Sequence, residues 1–278
     1  MLVNSERPKL WWTVGLAWRG LFAALPRMAL LFIIAYGLLA GLDIAAGRVT
    51  ALLSIPSHEA LAAIVKNNSR LPALGLWKAI GLDLVITALR AVILAPIAVA
   101  MHRFVLLGET RHFFFISRLS IRFAAWLWAL AIPVVILRWF ILLGASATGL
   151  VPMLSVLLFA YVIVLIQTLP LFPSVAVEEP AKDVSARLET ALERAERMFL
   201  LTVGTLVLAL LPVIAARAVA ARAFVKLAQK APLIAPLAGG VATIITIALG
   251  AVIVSVLYSY SAHRRPAEPG DAEPAPAS

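Results

Sequence analysis

The sequence contains no cysteine and few charged residues. Of its 278 residues, 14% are Asp, Glu, Lys or Arg, whereas a soluble domain usually has about 25%. The absence of cysteine excludes disulfide bonds and thiolate metal sites. The hydrophobic fraction is 63% and the mean hydropathy is +0.99. Because a water-soluble fold of this length cannot bury so much apolar side chain, we expect the lipid bilayer to be its solvent.

Acidic residues are the rarer of the two charged classes. The chain has 14 Asp and Glu against 24 Lys and Arg, which gives a formal net charge of +10. In a soluble protein, such an excess would indicate binding to nucleic acid. In a membrane protein, Lys and Arg instead collect in the loops on the cytoplasmic side. We therefore expect the lipid bilayer, and no nucleic acid, as a partner.

Long apolar runs dominate the rest of the sequence. A run of about 20 residues is enough to cross ~30 Å of hydrocarbon as a helix. Such runs cover residues 27–46, 78–100, 123–144, 151–172, 199–218 and 236–260. Because helices satisfy their own backbone groups in hydrocarbon, the pattern predicts an all-α polytopic membrane protein with six transmembrane helices. Residues 1–262 then form a single membrane-embedded domain, and the Pro-rich, acidic residues 263–278 form a disordered cytoplasmic tail.

The distribution of basic residues predicts the orientation. An even number of spans places both termini on the same side of the membrane. That side carries more Lys and Arg than the other, including Arg103, Arg118 and Arg122. The excess predicts a multi-pass membrane protein with cytoplasmic N- and C-termini.

Two segments outside the spans have amphipathic patterns. Residues 9–25, "KLWWTVGLAWRGLFAAL", place Trp11, Trp18 and Phe22 at helical spacing. Because tryptophan favours the headgroup level, this segment predicts an interfacial N-terminal helix. Residues 183–198, "DVSARLETALERAERM", predict a cytoplasmic amphipathic helix between spans four and five. This second helix is interpreted either as the surface for a cytoplasmic protein partner or as a charged connector lying flat on the membrane.

No catalytic motif is present. The sequence has no HExxH, GxSxG or Walker pattern, and its four histidines are scattered without metal-ligand spacing. We therefore expect no enzymatic activity, no catalytic residues, no metal site and no cofactor.

Charged residues inside the spans are the best indication of a functional site. A charged residue at the centre of a span raises the free energy of membrane insertion by about 2.5–3.5 kcal/mol, so such residues usually have a functional or structural role. Because spans two and three run in opposite directions, Asp83 and Arg138 lie at similar depth, whereas Arg90 has no acidic residue at i±3 or i±4. One interpretation is a polar cavity, lined by Asp83, Arg90 and Arg138, that binds an anionic lipid headgroup or solute. The other is that these charges pair with each other and orient the helices.

Two stretches carry a resemblance to a known family. "HRFVLLGE" (102–109) and "LFPSVAVEEPAKDVSARLETALERA" (171–195) resemble a family of uncharacterised bacterial inner-membrane proteins with six transmembrane helices. The layout is also similar to the membrane domain attached to some glycerophosphodiester phosphodiesterases. The resemblance implies no catalysis, because the catalytic domain of those enzymes has no counterpart in this sequence.

The sequence leaves two functional classes open. The first is a non-enzymatic scaffold or accessory component of envelope or lipid metabolism that acts through the 183–198 helix. The second is a transporter or binding protein that uses the region of Asp83, Arg90 and Arg138. A water-accessible polar cavity at Arg90 favours the second class, whereas a packed bundle with paired charges favours the first.

Overall fold

The structure, a computed structural model, describes residues 9–55, 73–109, 117–144, 150–177, 184–228 and 234–262. This part of the chain contains helices and no strands. The helices are α1 (Leu10–Ala24), α2 (Ala29–Leu52), α3 (Ala73–Leu107), α4 (Arg118–Gly144), α5 (Leu150–Thr168), α6 (Leu171–Ala176), α7 (Val184–Ala228) and α8 (Ile234–Ala262). The predicted tail, residues 263–278, lies outside the described residues.

Six helical segments are long and apolar enough to cross a membrane. They are Ala29–Leu52, Leu76–Leu107, Arg118–Ile141, Val151–Thr168, Met198–Ala220 and Gly239–Tyr260. Each overlaps one predicted span, in the same order. The prediction of an all-α, multi-pass membrane protein is therefore confirmed.

Helix α3 is longer than the predicted second span. It continues past residue 100 to Leu107, so most of "HRFVLLGE" is helical. Gly108 follows with a φ of +68°, a left-handed conformation that glycine adopts without steric cost, and its N–H donates to the Phe104 carbonyl. The glycine therefore ends the helix and turns the chain toward Glu109.

The fourth span ends earlier than predicted, because two prolines lie near its end. Helix α5 stops at Thr168, and Pro170 precedes the six-residue helix α6, in which Pro173 lies. Proline fixes the backbone and lacks an N–H donor, so it favours a new short helix here over continuation of α5. All six residues of α6 are buried.

Span five and the charged segment before it form one helix. Helix α7 runs without interruption from Val184 to Ala228, and its apolar window begins at Met198. The structure thus joins residues 184–197 directly to the span, whereas the sequence predicts a separate helix for 183–198. Residue 183 and the side chains of residues 184–195 and 197 lie outside the described part of the chain.

Helix α8 is the centre of the bundle, and α1 lies along it. In the most apolar part of the span, 61% of the residues of α8 are buried, whereas only 6% of the residues in the corresponding part of α5 are buried. The Trp12 ring contacts Tyr260 edge-on at 5.9 Å, and a Cβ on Gly20 would lie 2.9 Å from a Val252 methyl group. A step of eight residues forward along α1, from Trp12 to Gly20, thus corresponds to a step of eight residues backward along α8, from Tyr260 to Val252. The two helices therefore pack antiparallel. Trp11 and Phe22 are exposed.

Candidate functional site

Asp83 and Arg138 form an ion pair between α3 and α4. Arg138 Nη2 donates to Asp83 Oδ2 at 2.5 Å, and Trp139 Nε1 donates to the same oxygen at 2.9 Å. The two helices run in opposite directions, which places the side chains at the same depth, as the sequence predicts. The carboxylate therefore has two donors from α4, one charged and one neutral.

Arg90 pairs with a residue that the sequence analysis does not assign to the site. Its Nη2 donates to Asp43 Oδ1 on α2 at 2.7 Å. The pair joins residues 47 positions apart, so no local spacing on α3 predicts it. The available signal is a carboxylate, Asp43, in another span that runs antiparallel to α3, but the sequence does not say which spans pack against each other.

The structure divides the predicted three-residue site into two neutral pairs. Asp83 and Arg90 are seven residues apart, so they share a face of α3 with about 10 Å of helical rise between them. Asp83 binds Arg138 on α4, whereas Arg90 binds Asp43 on α2. The charges of Arg90 and Arg138 are each matched by a carboxylate. Their side chains remain 46% and 52% exposed, respectively.

A small apolar cluster supports the Asp83 pair. Ile55, Ala79, Ile80 and Val135 surround Trp139, whose side chain is buried. Because the indole N–H of Trp139 points to the Asp83 carboxylate, this cluster fixes the position of the acid. The pair is thus part of the packing between α3 and α4.

The sequence analysis did not predict a buried polar contact near the C-terminal end of α3. His102 Nδ1 lies 2.6 Å from Ser255 Oγ on α8, and both residues are buried. The His102 ring also contacts Phe123 of α4, which in turn contacts Phe172 of α6. The sequence signal is a histidine inside an apolar helix, but 153 residues separate it from its partner. The contact joins α3 to the central helix.

Arg103 connects the two ends of the stretch "HRFVLLGE" and also contacts α6. Its Nε and Nη2 donate to the two carboxylate oxygens of Glu109 at 2.8 and 2.9 Å, and its Nη1 donates to the Ala176 carbonyl at 3.1 Å. The fork of the guanidinium matches both carboxylate oxygens, so the turn at Gly108 is held across its base. Ala176 ends α6, and therefore the two stretches that carry the family resemblance are in direct contact.

The ion pairs and the His102–Ser255 contact thus connect helices of the bundle to one another. No protein-family model, curated protein or solved structure matches this chain. The resemblance to six-helix bacterial inner-membrane proteins therefore stays a prediction from the two stretches.

Proposed function

We propose that the protein is a non-enzymatic scaffold or accessory component of the bacterial inner membrane, serving envelope or lipid metabolism. The observation that carries this proposal is the pairing of the charges inside the spans. Arg90 binds Asp43 and Arg138 binds Asp83, so each cation is used to hold two helices together. A charge used in this way stabilises the bundle and needs no ligand to neutralise it.

The first turns of α7 support the same proposal. Residues 184–197 precede the span in an unbroken helix, at about 1.5 Å per residue, so they extend roughly 20 Å from its start. Because this segment continues the span as one helix, it follows the axis of the span out of the bilayer. This favours a surface for a protein partner over a connector that lies flat on the membrane. With cytoplasmic termini, this segment lies on the cytoplasmic side, where a cytoplasmic protein can bind it.

The partner surface can be tested with a photo-crosslinking amino acid at Glu196. This residue is exposed and lies just before the span. Leu200, one turn later and also exposed, is the matched control inside the span. We expect a discrete protein adduct in native membranes from position 196 and none from position 200. Equal adducts at both positions, or none at position 196, would contradict a partner at this segment.

The second candidate function is a transporter or binding protein for an anionic solute or lipid headgroup. The observation that favours it is the exposure of about half of the Arg90 and Arg138 side chains, which leaves guanidinium N–H groups accessible. Together with Asp83, these are the residues that would contact the anion.

The variants Arg90→Leu, Asp43→Leu and their combination separate the two candidates. If the pair is structural, each single change leaves a charge without its partner and lowers the melting temperature, whereas the double variant recovers most of the loss. Arg48→Leu, at an exposed position on α2, the helix that carries Asp43, serves as the control. A binding protein would instead show stabilisation of the wild type by glycerol 3-phosphate, lost in both Arg90 variants and kept in Arg48→Leu.

A further inference from the structure

A groove lies between α3 and α4 on the cytoplasmic half of the bundle. Its cavity volume is about 210 Å³. It is lined by Ala88, Val92 and Pro96 of α3 and by Ser120, Ile121, Ala124, Ala125 and Trp128 of α4. An apolar cavity of roughly 150 Å³ is enough to hold benzene, so this groove has room for several methylene groups.

The sequence explains why the groove forms. Three of its lining residues are alanines, which leave space where larger side chains would fill the gap between the helices. Pro96 lies inside α3 and lacks the N–H that would bond the carbonyl one turn earlier, so it weakens the helix at this point. Small residues on both helices, together with a proline, thus produce a depression in the surface of the bundle.

The walls of the groove are suited to hydrocarbon. Val92, Ile121 and Trp128 are exposed, and they belong to segments that cross the membrane, so they face lipid. The two polar groups of the lining are both used: the Ser120 hydroxyl bonds the Ser117 hydroxyl at 2.9 Å, and the Trp128 indole N–H donates to the Leu84 carbonyl at 3.2 Å. A polar ligand would find few partners on these walls, whereas an acyl chain would gain dispersion contacts.

Two arginines lie in the first two turns of α4, next to the end of the groove that Ser120 and Ile121 line. Arg118 shares a helical face with Ile121 and Ala125, at positions i, i+3 and i+7, and Arg122 follows one turn after Arg118. Both are exposed, and no acidic side chain in the described ranges forms an ion pair with either. Because side chains on a helix lean toward its N-terminus, both guanidinium groups reach toward the membrane surface at which α4 begins.

We propose that this groove binds an anionic phospholipid, with one acyl chain between α3 and α4 and the phosphate on Arg118 and Arg122. The apolar walls would contact the acyl chain in the hydrocarbon region. The two arginines would contact the phosphate at the membrane surface. The site is independent of the scaffold function. Asp83 and Arg138 lie farther along the same two helices, and Arg90, which lies between Ala88 and Val92 in the sequence, binds Asp43 on α2.

The proposal can be tested by binding of dioleoyl phosphatidylglycerol, with dioleoyl phosphatidylcholine as the neutral lipid, to protein in nanodiscs or by native mass spectrometry. We expect the wild type to prefer phosphatidylglycerol. Arg118→Gln combined with Arg122→Gln should weaken phosphatidylglycerol binding about 25-fold, since each basic residue near the surface contributes roughly fivefold. Arg48→Gln, at the other end of the first span, should leave it unchanged.

The acyl-chain half of the site is tested by Ala125→Trp, which fills the groove from its exposed rim. Ala129→Trp, one turn later on α4 and outside the groove lining, is the matched control. We expect lipid binding to be lost in Ala125→Trp and kept in Ala129→Trp. Equal binding of both lipids by the wild type, or unchanged binding in Ala125→Trp, would overturn the proposal. So would a change of oligomeric state in Ala125→Trp alone, because the groove would then hold a second copy.

Discussion

At the residue scale, Asp83 shows how the chain keeps a carboxylate among apolar helices. Two donors from α4 reach one of its oxygens, the Arg138 guanidinium and the Trp139 indole N–H. Asp83→Asn keeps the shape but removes the charge, so we expect a loss of about 1–3 kcal/mol in the free energy of unfolding. Arg138→Gln should cost a similar amount. The measurement is SDS-induced unfolding of the purified protein.

The double variant decides whether these two residues act on each other. If they are coupled, Asp83→Asn with Arg138→Gln costs less than the sum of the single changes, by roughly 0.5–3 kcal/mol. Trp139→Phe keeps the ion pair and removes the indole N–H, so it measures the neutral donor separately. Strict additivity of the single losses would show that the ion pair contributes nothing.

His102 gives a second prediction at this scale. Ser255→Ala removes the hydroxyl that lies 2.6 Å from His102 Nδ1 and leaves a buried ring nitrogen without that partner. We expect a loss of about 1–3 kcal/mol. Thr246→Val, on the same helix, is the control, because its hydroxyl bonds only the Ala242 carbonyl of its own helix. Equal melting temperatures for Ser255→Ala and the wild type would contradict a structural role for the His102 contact.

At the element scale, α1 depends on close approach to α8. A Cβ on Gly20 would lie 2.9 Å from a methyl group of Val252, which is buried and stiff because it is β-branched. Gly20→Ala should therefore destabilise the protein by about 1–3 kcal/mol despite the better helix propensity of alanine. Gly15, on the same helix, has nothing within 4 Å, so Gly15→Ala should be neutral or stabilising by up to about 1 kcal/mol.

A rescue variant and the melting temperature complete this test. Gly20→Ala combined with Val252→Ala should regain part of the stability, because the smaller side chain makes room for the new methyl group. If Gly20→Ala and Gly15→Ala have the same melting temperature, α1 does not pack closely on α8.

The elements also show what the sequence can and cannot predict. Spans are predictable because hydropathy is a local property, and each predicted run overlaps a helix. The partner of Arg90 is not, because Asp43 is 47 positions away on α2 and only the packing of α2 against α3 brings the two side chains together. The contact between His102 and Ser255 depends in the same way on how α3 lies against α8. The alignment of α1 with α8 needs a close approach at Gly20, which the aromatic pattern of residues 9–25 does not reveal.

The ends of helices are only partly predictable for a different reason. Gly108 is a clear stop signal, and α3 does end there. Residues 183–198 have the charge pattern of a separate helix, yet no proline or glycine separates them from span five, so the helix simply continues. A change of polarity along a chain therefore indicates where a helix leaves the membrane and not where it ends.

At the scale of the whole molecule, six spans place the ends of successive helices on alternate sides of the membrane. The chain has no cysteine, so any single introduced cysteine is the one labelling site. Leu52 ends the first span and Leu107 ends the second, and both are exposed. With cytoplasmic termini, a membrane-impermeant maleimide added to intact spheroplasts should label Leu52→Cys. Leu107→Cys should react only after the membrane is opened, because it lies on the side that carries Arg103, Arg118 and Arg122. The opposite labelling pattern would reverse the orientation and place the proposed phospholipid groove in the outer leaflet. Labelling of both positions from one side would contradict the six-span arrangement itself, since the first two helices could not then both cross the membrane.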